Sequence, residues 1–129
     1  AYAVYPHAGS WREARTVERA QEMNLPLFPM VIEPRGGELD GSRSFFAVEG
    51  DGVVLAAIKR AEDGEGLVLR LVESLGKETK GWVTLPGEID SAVEIDLLER
   101  GIGDAAFEAD RLRFAISGHE IKSFLVKLR

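Results

Sequence analysis

The chain has 129 residues, 16 lysines and arginines against 22 aspartates and glutamates, and no cysteine, which leaves a formal charge of −6. That length suits one domain with its own core, and the missing thiols exclude a disulfide framework, a cysteine nucleophile and thiolate-held zinc or iron–sulfur centres. An acidic balance without a Lys/Arg cluster argues against nucleic acid as partner. No apolar run approaches the about 20 residues of a membrane-spanning helix, and the N-terminus lacks the basic-then-apolar layout of a signal peptide.

Residues 1–9 read as a truncated strand and turn, with Tyr2 and Val4 on one face and Tyr5 on the other. Residues 10–24 read as a helix. Ser10-Trp11-Arg12-Glu13 has the form of a capping box, and Trp11, Ala14, Val17 and Ala20 or Gln21 recur at helical spacing. Asn24 and Pro26 supply the stop. In the connector, 25–43, Pro26, Pro29, Pro34, Gly36, Gly37 and Gly41 are too dense for a long regular element, and Phe28 to Ile32 is expected as a short edge strand.

Residues 44–129 carry strand patterns throughout: 45–48, 53–60, 67–73, 82–85, 92–98, 111–116 and 121–128. Turn-forming stretches separate them, such as Gly50-Asp51-Gly52, Glu62-Asp63-Gly64-Glu65-Gly66 and Pro86-Gly87. The expectation is an all-β single domain, an antiparallel β-sandwich of about seven to eight strands with one short amphipathic helix near the N-terminus. Strands at both ends of the chain suggest a domain cut from a longer protein.

Catalytic signals are sparse. The only imidazoles are His7 and His119, neither with a second ligand at metal-binding spacing. Ser10 lies near His7 but is accounted for as a helix cap. No nucleophile elbow, phosphate loop or H-E-x-x-H motif is present. Glu62, Asp63 and Glu65 lack the ligand order of a calcium loop, and on one tight turn they cannot flank a glycosidic bond from opposite sides; they read as a solvated hairpin tip. Trp11 and Trp82 are flat enough to stack on a sugar ring, although burial accounts for each more simply.

Several segments resemble the C-terminal region of glycoside hydrolase family 38, the zinc-dependent α-mannosidases, and their bacterial members in particular. They are Tyr2-Ala3-Val4-Tyr5-Pro6-His7-Ala8-Gly9-Ser10-Trp11-Arg12-Glu13-Ala14, Met23-Asn24-Leu25-Pro26-Leu27, residues 44–48, the long run from Val53 to Leu71, residues 96–100 and residues 120–124. The chain departs from the family's pattern at Ser10, where aspartate is more usual, and at Gly118-His119. The resemblance implies an all-β C-terminal part of a retaining, exo-acting α-mannosidase. Its zinc, its aspartate nucleophile and its acid/base belong to an N-terminal barrel that no segment here resembles.

No catalytic or metal residue is therefore assigned to this chain, and zinc is expected only in the catalytic domain of the parent. The partners expected are the remaining domains of the parent and mannosides, with neither nucleic acid nor membrane, in a cytoplasmic setting. His7, Trp11 and Arg12 are the candidates for contact with the cleft or with other domains. Trp82 is the candidate for sugar stacking in the alternative reading, a carbohydrate-binding or protein-interaction module.

Overall fold

Alternation of apolar and charged residues along 111–116 dictates the layout of residues 42–129: Leu112, Phe114 and Ile116 turn inward while Arg111, Arg113 and Ala115 turn out. In the computed structural model, which describes residues 2–33, 36–39 and 41–129, the chain divides into two compact units, 1–41 and 42–129.

The larger unit is a β-sandwich of nine strands: β1 (Ala47–Glu49), β2 (Val53–Arg60), β3 (Leu67–Glu73), β4 (Thr79–Thr84), β5 (Ile89–Ile95), β6 (Gly101–Asp104), β7 (Phe107–Glu108), β8 (Arg111–Ile116) and β9 (Ile121–Leu128). They form a four-stranded sheet in the order β1-β4-β8-β7 and a five-stranded sheet in the order β2-β3-β9-β5-β6, with every pairing antiparallel. Between the sheets lies a core of Val83, Leu85, Leu112, Phe114 and Ile116 from one side and Leu69, Leu71, Ile89, Ala92, Phe124 and Val126 from the other. A smaller cluster, Ala61, Val68 and Ile95 with Val93 and Leu125 against it, accompanies this core.

At Gly81 and at Gly66 the backbone leaves no room for a side chain. A Cβ on Gly81 would fall 1.7 Å from the carbonyl oxygen of Glu49 and 2.9 Å from the Phe114 ring, so β1 closes over β4 only because that atom is missing. Gly66 adopts φ +108°, and a Cβ there would meet the Val126 carbonyl oxygen at 2.7 Å. The hairpin tip between β2 and β3 carries its acids outward. Glu62 pairs with Lys59, Glu65 pairs with Lys127 at 2.6 Å, and the Asp63 carboxylate accepts the Glu65 N–H at 2.8 Å.

The strand boundaries differ from the expected ones for local reasons. After Ile95 the carboxylate of Asp96 accepts the N–H groups of Leu98 and Arg100, at 2.8 and 3.0 Å, and this turns the chain out of the sheet before Leu97 and Leu98, both of which are exposed. The chain then returns as β6, whose Gly-Ile-Gly-Asp sequence has no apolar alternation because every residue is exposed at the sheet edge.

In residues 1–41 the capping box forms: the Ser10 N–H donates to the Glu13 carboxylate at 2.7 Å, and the Glu13 N–H donates to the Ser10 hydroxyl at 3.3 Å. It opens a turn instead of the helix. Arg15 takes a left-handed conformation at φ 53°, and the helix α1 runs Thr16–Asn24, later than the start expected at residues 10–11. Bonds of unequal reach over this turn, Arg15 N–H to Arg12 and Thr16 N–H to Trp11, both at 3.1 Å, account for the break. Residues 2–9 carry no strand, and neither do 28–32. Ala1 of the expected first strand and Pro34, Arg35 and Asp40 of the connector lie outside the described residues.

Candidate functional site

The segment before α1 carries three of the expected residues, His7, Trp11 and Arg12, all of them exposed. The Tyr5 hydroxyl donates to the Ala14 carbonyl at 3.3 Å, and the Tyr5 ring lies 5.6 Å from the His7 imidazole, tilted by 40°. His7 Nδ1 is 3.3 Å from the Ala8 carbonyl oxygen. The Arg12 guanidinium lies 4.3 Å from the centroid of the Trp11 ring, and Trp11 is 38% exposed. The Ser10 backbone and side-chain bonds to Glu13 hold that carboxyl below the usual glutamate range. This segment presents an aromatic, a cation and an imidazole to solvent, with no carboxylate pair or metal-ligand set among them.

Trp82 occupies the outer face of the four-stranded sheet and is half-buried there, so the sandwich core does not include it. It lies in a row with Glu49 on β1 and Arg113 on β8. The Arg111 and Arg113 guanidiniums lie 4.8 and 5.9 Å from its ring centroid, and Arg111 also donates to the Glu49 carboxylate at 2.8 Å. Arg111 Nε is buried and has no acceptor among the described residues. An open depression of about 520 Å³ is lined by Glu49, Gly50, Lys80, Gly81, Trp82 and Arg113. A sugar ring stacking on the indole therefore competes with two guanidiniums for it.

The companions of Trp82 were missed in the sequence. The signal available was the outward-pointing arginines of β8 at period two, which cross-strand register sets beside position 82.

A second, smaller depression, about 340 Å³, is lined by Lys59, Glu62, Arg70, Leu97, Leu98 and Glu99. Its charges satisfy one another. Lys59 pairs with Glu62 and, at 2.7 Å, with Glu99; the Glu99 carboxylate accepts the Glu62 N–H at 2.8 Å; and Arg70 Nε donates to the Ser123 hydroxyl at 3.1 Å. The bond to Lys59 and the Glu62 N–H draw the Glu99 pKa down, and the two glutamates raise that of Lys59. Such a network ties the tip of the β2–β3 hairpin to the turn after β5.

Among the described residues no group of three His, Cys, Asp or Glu side chains is placed to hold a metal ion, so the residues present do not fit zinc ligation. Among the described residues no helix is long and apolar enough to cross a membrane.

Two antiparallel sheets packed over an apolar core define a β-sandwich domain. Residues 52–124 match the family model described as the glycosyl hydrolases family 38 C-terminal beta sandwich domain. The chain belongs to that family. It is similar to "Alpha-mannosidase 2C1" of Mus musculus, 33% identical over 133 residues, and to the Homo sapiens protein of that name at 32%, in each case over 99% of this chain. It is also similar to "Alpha-mannosidase G" of Dictyostelium discoideum, 27% identical over 95% of the chain. The chain spans only 13%, 13% and 12% of the length of these relatives.

Proposed function

We propose that this domain is a non-catalytic part of an α-mannosidase that removes terminal α-mannose, where it packs on the remainder of the polypeptide and helps to shape the substrate cleft. The observation that carries the reading is one of proportion: nearly the whole chain aligns with about an eighth of proteins named α-mannosidase. The chemistry, zinc included, then belongs to the other seven-eighths, and a cytoplasmic setting for the parent is part of the same proposal. His7, Trp11 and Arg12 supply the contact near the cleft, since their segment presents all three to solvent.

Hydrolysis of an aryl α-mannoside by the purified chain, with its intact mass verified and with and without added zinc, tests this. Turnover at background supports the reading; zinc-dependent turnover by the chain alone overturns it. His7→Ala in the parent is expected to raise KM or lower kcat toward the aryl mannoside while leaving the melting temperature of the parent within a few degrees.

A second reading, glycan binding at the outer sheet face, draws on the depression in which Trp82 is ringed by Glu49, Lys80 and Arg113. Titration of the chain with mannosides, compared with the Trp82→Ala variant, decides it. Equal response from both removes the reading.

A further inference from the structure

Residues 25–32, Leu-Pro-Leu-Phe-Pro-Met-Val-Ile, carry no charge, and their six large side chains range from 70% exposed at Ile32 to 102% at Val31. Among the described residues no backbone hydrogen bond is made by any N–H or C=O of residues 26–33; the last bond before them is from the Leu25 N–H to the Gln21 carbonyl that ends α1. These side chains are not among those that build the sandwich core.

A run of this kind has two requirements that water meets poorly. In an extended strand alternate residues point to opposite sides, so on pairing with a sheet edge Leu27 and Val31 would face one way and Phe28, Met30 and Ile32 the other, and both sides would be apolar. Strands with two apolar faces are those buried on both faces. Once buried, their backbone groups need partners as well, which a sheet edge provides. Pro26 and Pro29 have no N–H to donate, and that suits an end or edge position in such a sheet.

We propose that residues 25–32 are a docking strand, seated on a sheet edge and under an apolar layer in the portion of the parent mannosidase outside this chain. The occupant of choice is that portion because it makes up nearly seven-eighths of the relatives' length. The inference rests on the reading of the chain as a domain that packs on the rest of its parent, and it names the segment that does so.

Amide hydrogen exchange on the 129-residue chain and on the parent polypeptide tests it at Leu27, Phe28, Met30, Val31 and Ile32, the residues of the run that retain an N–H after the prolines. The expected result is free exchange in the chain alone and slowing by about a hundredfold or more in the parent. The Phe28→Asp/Val31→Asp parent is expected to lose that protection, while the isolated chain with the same changes keeps its melting temperature, which separates lost docking from lost folding.

Protection that appears in the isolated chain and grows with its concentration overturns the proposal in favour of a second copy. Free exchange at 27–32 in the parent, with protection gained at Tyr2 to Trp11, overturns the docking strand but leaves the packing reading standing. Protection gained at neither segment removes both.

Discussion

Glu73 and His119 stand 46 positions apart in the chain, yet the carboxylate of the first accepts the backbone N–H of the second at 2.9 Å. The same carboxyl accepts the N–H groups of Leu75 at 2.8 Å, Gly76 at 2.7 Å and Lys77 at 3.3 Å. Glu73 is 1% exposed and sits at the end of β3, so one side chain joins the turn after β3 to the turn between β8 and β9. The two turns touch: a Cβ on Gly76 would lie 2.6 Å from His119 Nε2, and one on Gly118 would lie 2.7 Å from the Gly76 carbonyl carbon.

Replacing Glu73 by glutamine keeps the shape but sets an NH₂ group against backbone N–H donors. The expected loss is about 3 kcal/mol, from weakened charge-assisted bonds and at least one buried donor left unpaired. Urea denaturation followed by far-ultraviolet circular dichroism measures it. A change within 0.5 kcal/mol would show that water replaces the carboxylate at no cost.

Stability should also decline in acid through this group. Burial pushes the Glu73 pKa up, but the four N–H donors together outweigh it and hold the carboxyl below its usual range. A carboxyl with a depressed folded pKa stabilises the fold above its unfolded pKa, and that contribution is lost as pH falls through the folded value, because the unfolded chain binds more protons in the interval. The urea midpoint is expected to drop as pH is lowered below the ordinary glutamate range. In Glu73→Gln that slope is expected to be shallower, and parallel slopes would assign the acid sensitivity to other carboxyls.

Gly81→Ala tests the closure of β1 over β4. With a Cβ 1.7 Å from the Glu49 carbonyl oxygen there is no accommodation short of parting the strands, and the expected cost is about 3 kcal/mol. Trp82 pairs with Glu49 across those strands and reports the change. Its fluorescence, read in a Trp11→Phe background, is expected to shift to the red.

Arg111→Met removes the guanidinium 4.8 Å from the Trp82 ring centroid and its bond to Glu49 while keeping much of the aliphatic stem. The expected loss is about 1 kcal/mol. In the same background, acrylamide quenching of Trp82 is expected to rise. Unchanged quenching would mean that Arg113, at 5.9 Å, covers the ring unaided.

Much of the sandwich was legible because five of its strands, β3, β4, β5, β8 and β9, bring buried apolar residues to the two sheets, and that leaves a period in the chain. β6 left none, being exposed along its whole length, and β7 has only two residues. The capping box was legible from Ser10 and Glu13, but its sequence says nothing of Arg15 turning left-handed two residues later. Glu73 reads in sequence as the polar end of an apolar strand. Its role arises only when residues 75–77 and 119 arrive from two different turns, a fact of tertiary structure that no local spacing encodes.

The order of the strands in the larger sheet has a further consequence for how the domain is made. β9, the last of the nine to leave the ribosome, is the middle strand of five and pairs with β3 on one side and β5 on the other. Until it emerges, β3 and β5 each present an open edge, and Leu69 and Leu71 wait for Phe124 and Val126 to complete their layer. The nascent chain therefore passes through a stage with two adhesive edges and an unfinished core, and its safe passage depends on how soon synthesis reaches residue 128.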